Sequence, residues 1–140
     1  MPTPELLEQA RKANEARAAR KASKSEEIET RRLTNQIKLN TLCEQNDWTV
    51  GIDVAVVSTK TGDMVVVKKP GPAVFQAFSQ KVLTSKAGPA DYYTFVKPCV
   101  VYPSVDEFVR LSDTHPGLVL KCAELAGELA SAEAEDLKGK

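Results

Sequence analysis

Ile52-Asp53-Val54-Ala55-Val56-Val57-Ser58-Thr59, then Lys60-Thr61-Gly62-Asp63, then Met64-Val65-Val66-Val67-Lys68-Lys69 is the stretch that sets the fold class. Ile52, Val54 and Val56 alternate with Ala55 and Val57, the period-two pattern of a strand over residues 51–59. Lys60 to Asp63 has turn chemistry, and the valine run after it supplies a second strand, so the segment reads as a β-hairpin. Two strands alone are marginal in water. The hairpin must therefore lie on helices or pair with another chain. Pro70-Gly71-Pro72 ends it.

On the N-terminal side, residues 3–46 read as helix in two pieces. Thr3 can cap the start, Pro4 suits the first helical position and Glu5 suits the positive end of the helix dipole. Residues 5–24 are almost all strong helix formers, yet beyond Leu6, Leu7 and some alanines they have little to bury. They predict a projecting helix, or one that orders on a partner. Ser23 with Glu26 has the spacing of a capping box opening a second piece, in which Ile28, Leu33, Ile37, Leu39 and Leu42 offer a face for docking.

Beyond residue 72 the pattern is helical with proline punctuation. Val74, Phe75, Phe78 and Val82 share a face of a helix from about 72 to 85. Gly88-Pro89 opens the next, carrying Tyr92, Tyr93, Phe95 and Val96 and stopping near Pro98. Cys99-Val100-Val101-Tyr102-Pro103 reads as an apolar connector, and Ser104 with Glu107 as the cap of a short helix bearing Phe108 and Leu111. After Pro116, Leu118, Cys122, Leu125 and Leu129 form a narrow buried seam on a last helix. The expectation is an α+β fold, mostly α. It has a long N-terminal helix, one β-hairpin and a C-terminal cluster of four or so helices. Residues 1–46 form the charged helical segment and residues 47–140 the hairpin and helical domain.

Composition and residue types argue for binding and against catalysis. The formal net charge is zero, so no overall basic field draws the chain to nucleic acid, which is an unlikely partner. No apolar run has the length to cross a bilayer, so no membrane partner is expected. The first residues also lack the basic-then-apolar order of an export signal, and a cytoplasmic protein is expected. Cys43, Cys99 and Cys122 have neither a disulfide framework nor zinc-site spacing. The glycines form no phosphate loop. The sole histidine, His115, lies in the turn-like Thr114-His115-Pro116-Gly117. It stands two helical turns from Cys122, a spacing open to a nucleophile pair, but Cys122 reads better as a small core residue on an apolar stripe. Asp91, Asp106 and Glu107 suit helix capping better than paired acid and base chemistry. No catalytic residue, metal ligand or cofactor site is assigned. Arg11, Lys12, Arg17, Arg20, Lys21 and Lys24 are opposed at the other end by Glu124, Glu128, Glu133, Glu135 and Asp136. These are either solvated faces or complementary ends for self-association or for a charged partner.

Over residues 65–129 the order of features resembles the tail assembly chaperones of long-tailed bacteriophages. The features are an apolar strand running into lysines and Pro70, the Phe75–Phe78 helix and the helix led by Asp91. They continue with Cys99-Val100-Val101-Tyr102-Pro103-Ser104 and Glu107-Phe108, then Pro116-Gly117 opening a helix rich in alanine and leucine. The charged N-terminal helix lies outside the resemblance. The resemblance implies a chaperone in the host cytoplasm that binds the apolar, helical tape-measure protein while tail-tube subunits polymerise around it, and that leaves the finished particle. An apolar helix without its tube would aggregate, and an aromatic groove could cover it reversibly. Phe75, Phe78, Tyr92, Tyr93, Phe95 and Phe108 are the residues available for such a groove, and each also suits plain core packing. A structural part of a particle, with the N-terminal helix packed among copies of itself, is the alternative. A nucleic-acid adaptor using residues 11–24 lacks aromatic residues in its basic stretch. The same resemblance implies a longer product made by backward ribosomal slippage, for which Gly139-Lys140 would need repetitive codons. A polar end on an acidic helix accounts for the same two residues.

Overall fold

The hairpin forms as β1 (Val54–Ser58) and β2 (Met64–Lys68), paired antiparallel with Val56 opposite Val66. Val54, Val65, Val66 and Val67 have no exposed surface, and each contributes roughly 1.5 kcal/mol or more through burial. Such a run of buried valines requires cover on both faces. A computed structural model shows that cover, describing the backbone of residues 1–138 and side chains to Ser131. Gly139-Lys140 and the side chains of Glu133, Glu135 and Asp136 lie outside the described residues.

One face of the sheet carries Ala55, Val57, Val65 and Val67, which pack with Phe95, Val96, Phe108, Leu118, Cys122 and Leu129 in the main core. These come from α3 (Pro89–Val96), α4 (Val105–Thr114) and α5 (Leu118–Lys138). Within the predicted seam, Leu118, Cys122 and Leu129 are buried and Leu125 is half-buried. Ala123 and Ala126 are buried with them, small residues that bring α5 close to its neighbours. The other face, Val54, Met64 and Val66, is covered by Leu39 and Cys43 of α1 (Pro4–Asn46), with Trp48 and Tyr102 alongside. α2 (Pro72–Leu83) packs on α3.

Three expectations need correction. The apolar connector contains a third strand, β3 (Val100–Tyr102), antiparallel to β2 and completing the order β1-β2-β3. Its two valines and tyrosine have strand propensity, but three residues are too few for a period to show. The N-terminal region is also one continuous helix of 43 residues, with no break at Ser23. Ser25 turns its hydroxyl back to the Lys21 carbonyl at 2.9 Å, so its side chain stays within the helix. Strong helix formers on both sides leave nothing to compensate the backbone hydrogen bonds a break would release. Thr3 caps the start, its Oγ1 accepting from Leu6 N at 3.2 Å. Asp47, left-handed at φ 55°, ends the helix by donating its N–H to the Cys43 carbonyl.

The docking face of α1 also differs from the predicted one. Leu33 and Ile37 are 54% and 69% exposed, while the contacts come from Ile28, Arg31, Asn35, Leu39 and Cys43. Asn35 Nδ2 donates to the Gly62 carbonyl at 2.7 Å and Arg31 donates to the Thr61 carbonyl at 3.2 Å. Gly62 is required there twice over. Its φ is +86°, and a Cβ would lie 3.0 Å from the Ile28 carbonyl oxygen. The turn therefore accepts α1 because it carries no side chain.

Every residue from Met1 to Glu27 is exposed. At 1.5 Å per residue, residues 4–27 project about 36 Å of helix with no tertiary contact to hold it. Glu8 and Glu15 pair with Arg11, and Lys24 with Glu27, but water and salt screen such exposed pairs, so they contribute little. In a dilute sample, amides 8–27 should exchange fast and a protease should cut there first, while amides 39–46 stay protected. Strong protection across 8–27 at low concentration would contradict this. Protection that grows with concentration would identify self-association through α1.

Candidate functional site

Among the described residues, α2 is the apolar helix that the fold covers least. Gly71 and Pro72 start it, Pro72 sitting at the first helical position where its missing N–H is harmless. Its twelve residues include Val74, Phe75, Phe78, Val82 and Leu83, yet none is buried, and Val82 and Leu83 are 46% and 83% exposed. An amphipathic helix whose apolar stripe is only half covered leaves a surface that water solvates poorly.

The half-covered stripe meets α3 along a groove. Phe78 stacks on Phe95 with ring centroids 4.3 Å apart and meets Tyr92 edge-on at 5.2 Å, while Phe75 lies 6.4 Å from Phe95. On one side of Phe78 is a hollow of about 260 Å³ floored by Phe95 and walled by Val74, Ala77 and Pro98. On its other side is a second, of about 360 Å³, between Phe75, Val82 and Leu83. Phe78 is the ridge between two apolar hollows.

One end of the first hollow is closed by an ion pair. Lys81 Nζ donates to Asp91 Oδ1 at 2.6 Å, and Asp91 Oδ2 accepts from Gly88 N at 2.9 Å. The Lys81 ammonium, helped by the Gly88 N–H, holds the Asp91 carboxyl below the usual carboxylate range. Asp91 thus caps α3 as the sequence suggests and also ties that helix to the last turn of α2.

Of the six aromatic residues predicted for a groove, the structure brings four together: Phe75, Phe78, Tyr92 and Phe95, the last only 2% exposed as its floor. Phe108 is corrected to a core residue with no exposed surface, because α4 turns it onto the sheet. Tyr93 leaves the groove as well. It packs 6.1 Å from Phe108, with Lys97 Nζ 5.4 Å from its ring. The reason is helical: Tyr92 and Tyr93 are neighbours about 100° apart and cannot share a face. Leu83 and Pro98 were missed. The step from Phe75 through Ser79 to Leu83, four residues each time, was the available signal for Leu83.

His115 and Cys122 do not form a pair. His115 Nε2 lies 3.3 Å from Thr61 Oγ1 and 3.9 Å from Asp63 Oδ2, at the hairpin turn. Thr61 Oγ1 lies 2.7 Å from Asp63 Oδ2, to which it donates. This network pins the corner between α4 and α5 to the turn that α1 grips. Cys122 is buried, and burial pushes its thiol up to about 12, while Cys99 is also pushed up by burial. All three cysteines are free thiols. An alkylating reagent at about pH 8 should therefore label half-buried Cys43 first and spare Cys99 and Cys122 until the chain unfolds. Prompt labelling of Cys122 in the folded protein, read by mass spectrometry, would refute this burial.

Among the described residues, no group of three or more histidine, cysteine, aspartate or glutamate side chains is placed to hold a metal ion. Also among them, no helix is long and apolar enough to cross a membrane. No protein-family model, curated protein or solved structure matches the chain.

Proposed function

We propose that this protein is an assembly chaperone that covers an apolar stripe on a helical client, the role implied by its resemblance to the tail assembly chaperones of long-tailed phages. The observation that carries the reading is α2: a helix rich in apolar residues, none of them buried, beside hollows floored by aromatic rings. A helix laid in such a groove loses apolar surface to Phe78, Val82 and Leu83 without any covalent step. The site holds no nucleophile beside a base, and its one carboxylate is engaged in capping and an ion pair. The client under this reading is a tape-measure protein awaiting tail-tube subunits in the host cytoplasm.

The test is co-expression with a tape-measure segment, alone and with the protein. The protein should keep the segment soluble and be missing from purified virions. A second reading, a structural component, is favoured by one observation: α1 projects 24 exposed helical residues that could pack among copies of itself. Stoichiometric presence in finished particles would establish that reading and reject the chaperone.

A further inference from the structure

The two faces of the sheet are covered unequally. Against Ala55, Val57, Val65 and Val67, the helices α3, α4 and α5 place buried residues, among them Phe95, Phe108 and Cys122. Against Val54, Met64 and Val66, α1 places none. Of its 43 residues, Ile28, Asn35, Leu39, Leu42 and Cys43 are half-buried and all the others are exposed. Yet Val54 and Val66 have no exposed surface and Met64 keeps only 5%. The polar ties of α1 to the hairpin turn are the Arg31 and Asn35 hydrogen bonds to the carbonyls of Thr61 and Gly62. Thr34 and Gln36 flank Asn35 on the helix, each about 100° away, and a hollow opens on either side. One, of about 350 Å³, lies between Thr30 and Thr34 and the residues Met64, Tyr102 and Leu111. The other, of about 250 Å³, lies between Arg32, Gln36 and Leu39 and the residues Val56 and Met64. Both reach Met64, so the seat of α1 is undercut from two sides.

We infer that α1 is a displaceable cover: residues 28–46 leave the face of Val54, Met64 and Val66 as a unit while the core on the opposite face stays closed. The grip of an element follows the apolar area it buries, and segments with few buried apolar contacts open below the free energy of global unfolding. Undocking breaks the two hydrogen bonds to the turn and uncovers Val54, Met64 and Val66. The main core, built from α3, α4 and α5 on the other face, loses none of its members. Residues 4–27 continue the same helix, so a partner that holds them also sets whether this sheet face is open. The device does not rest on the α2–α3 groove.

The chain carries a reporter for each face. Cys43 packs under the cover, and so does Trp48, the sole tryptophan, whereas Cys99 and Cys122 lie in the main core. The experiment exposes the full chain to a thiol reagent across a urea titration, reads each cysteine by mass spectrometry and follows Trp48 fluorescence. Cys43 labelling should accelerate with urea, and the fluorescence should change, at concentrations where Cys99 and Cys122 remain unlabelled. The urea dependence should be shallower than that of Cys122, because undocking exposes less surface than unfolding. Asn35→Ala should speed Cys43 labelling roughly 5-fold, the effect of losing one hydrogen bond and leaving the Gly62 carbonyl without it, with Cys122 unchanged. The direction is diagnostic, since alanine is the better helix former and would slow labelling if helicity alone protected the thiol. Should Asn35→Ala expose Cys122 as well, Arg31→Ala at the exposed contact makes the same comparison. Cys43 labelling in step with Cys122 overturns the inference, because the cover then leaves only on global unfolding. Cys43 labelling that neither urea nor the loss of these contacts accelerates also overturns it, because the thiol is then reached with α1 in place.

Discussion

Phe108→Ala is expected to lower the unfolding free energy by about 3–5 kcal/mol, the range for removing a fully buried phenylalanine. Phe108 has no exposed surface and packs against Tyr93 from α3 and the sheet-side core beneath α4. The loss combines the transfer free energy of the ring with the cavity it leaves, since α4 is anchored at its start by Ser104 and cannot collapse freely into the space. Domains of this size hold only about 5–15 kcal/mol in total, so the variant sits near the threshold of folding. A urea titration measures the change. A loss under about 1 kcal/mol would mean that Phe108 is a surface residue, returning it to the groove where the sequence had placed it.

The second large effect concerns function and should spare the fold. Phe78→Ser with Leu83→Ser should abolish protection of an apolar helical client, weakening its binding by about 2 kcal/mol or more, roughly 30-fold, as expected for a central aromatic anchor. Phe78 is half-buried and Leu83 is 83% exposed, so the stability cost should stay well below that of Phe108→Ala. Charge reversals at Lys21 and Lys24, on the projecting part of α1, should leave client protection nearly unchanged. The readout is light scattering of a tape-measure fragment with and without each variant. If the charge reversals do more damage than the groove pair, the protein acts as an electrostatic adaptor through α1. A change at Tyr92 and Tyr93 together is a poorer probe, because Tyr93 packs on Phe108 and its loss would mix groove and core.

How far the sequence could be read follows from what each element depends on. The hairpin was legible because an alternating strand, a Thr-Gly-Asp turn and a valine run are local signals. The starts of α2, α3 and α4 were legible for the same reason, each marked by glycine and proline or by a capping serine. Of the groove, the stripe Val74, Phe75, Phe78 and Val82 could be seen, because spacing alone places those residues on one face. Whether that face is buried could not, because burial is a property of the neighbour.

Local chemistry thus determined the α+β class, the long N-terminal helix, the hairpin and the boundaries of the C-terminal helices. Tertiary structure alone decided the rest. β3 exists because β2 offers three residues of the connector a free edge to pair with, not because those residues declare a strand. Asn35, a polar residue, lies on the docking face of α1 while Leu33 and Ile37 point to solvent, because the contact is a hydrogen bond to the Gly62 carbonyl at a turn too tight for a side chain. Six aromatic residues of one hydrophobic type were divided into a floor, a ridge and a core by the angles at which their helices meet the sheet. A sequence carries the period of each face, but the partner of that face is chosen only when the elements pack.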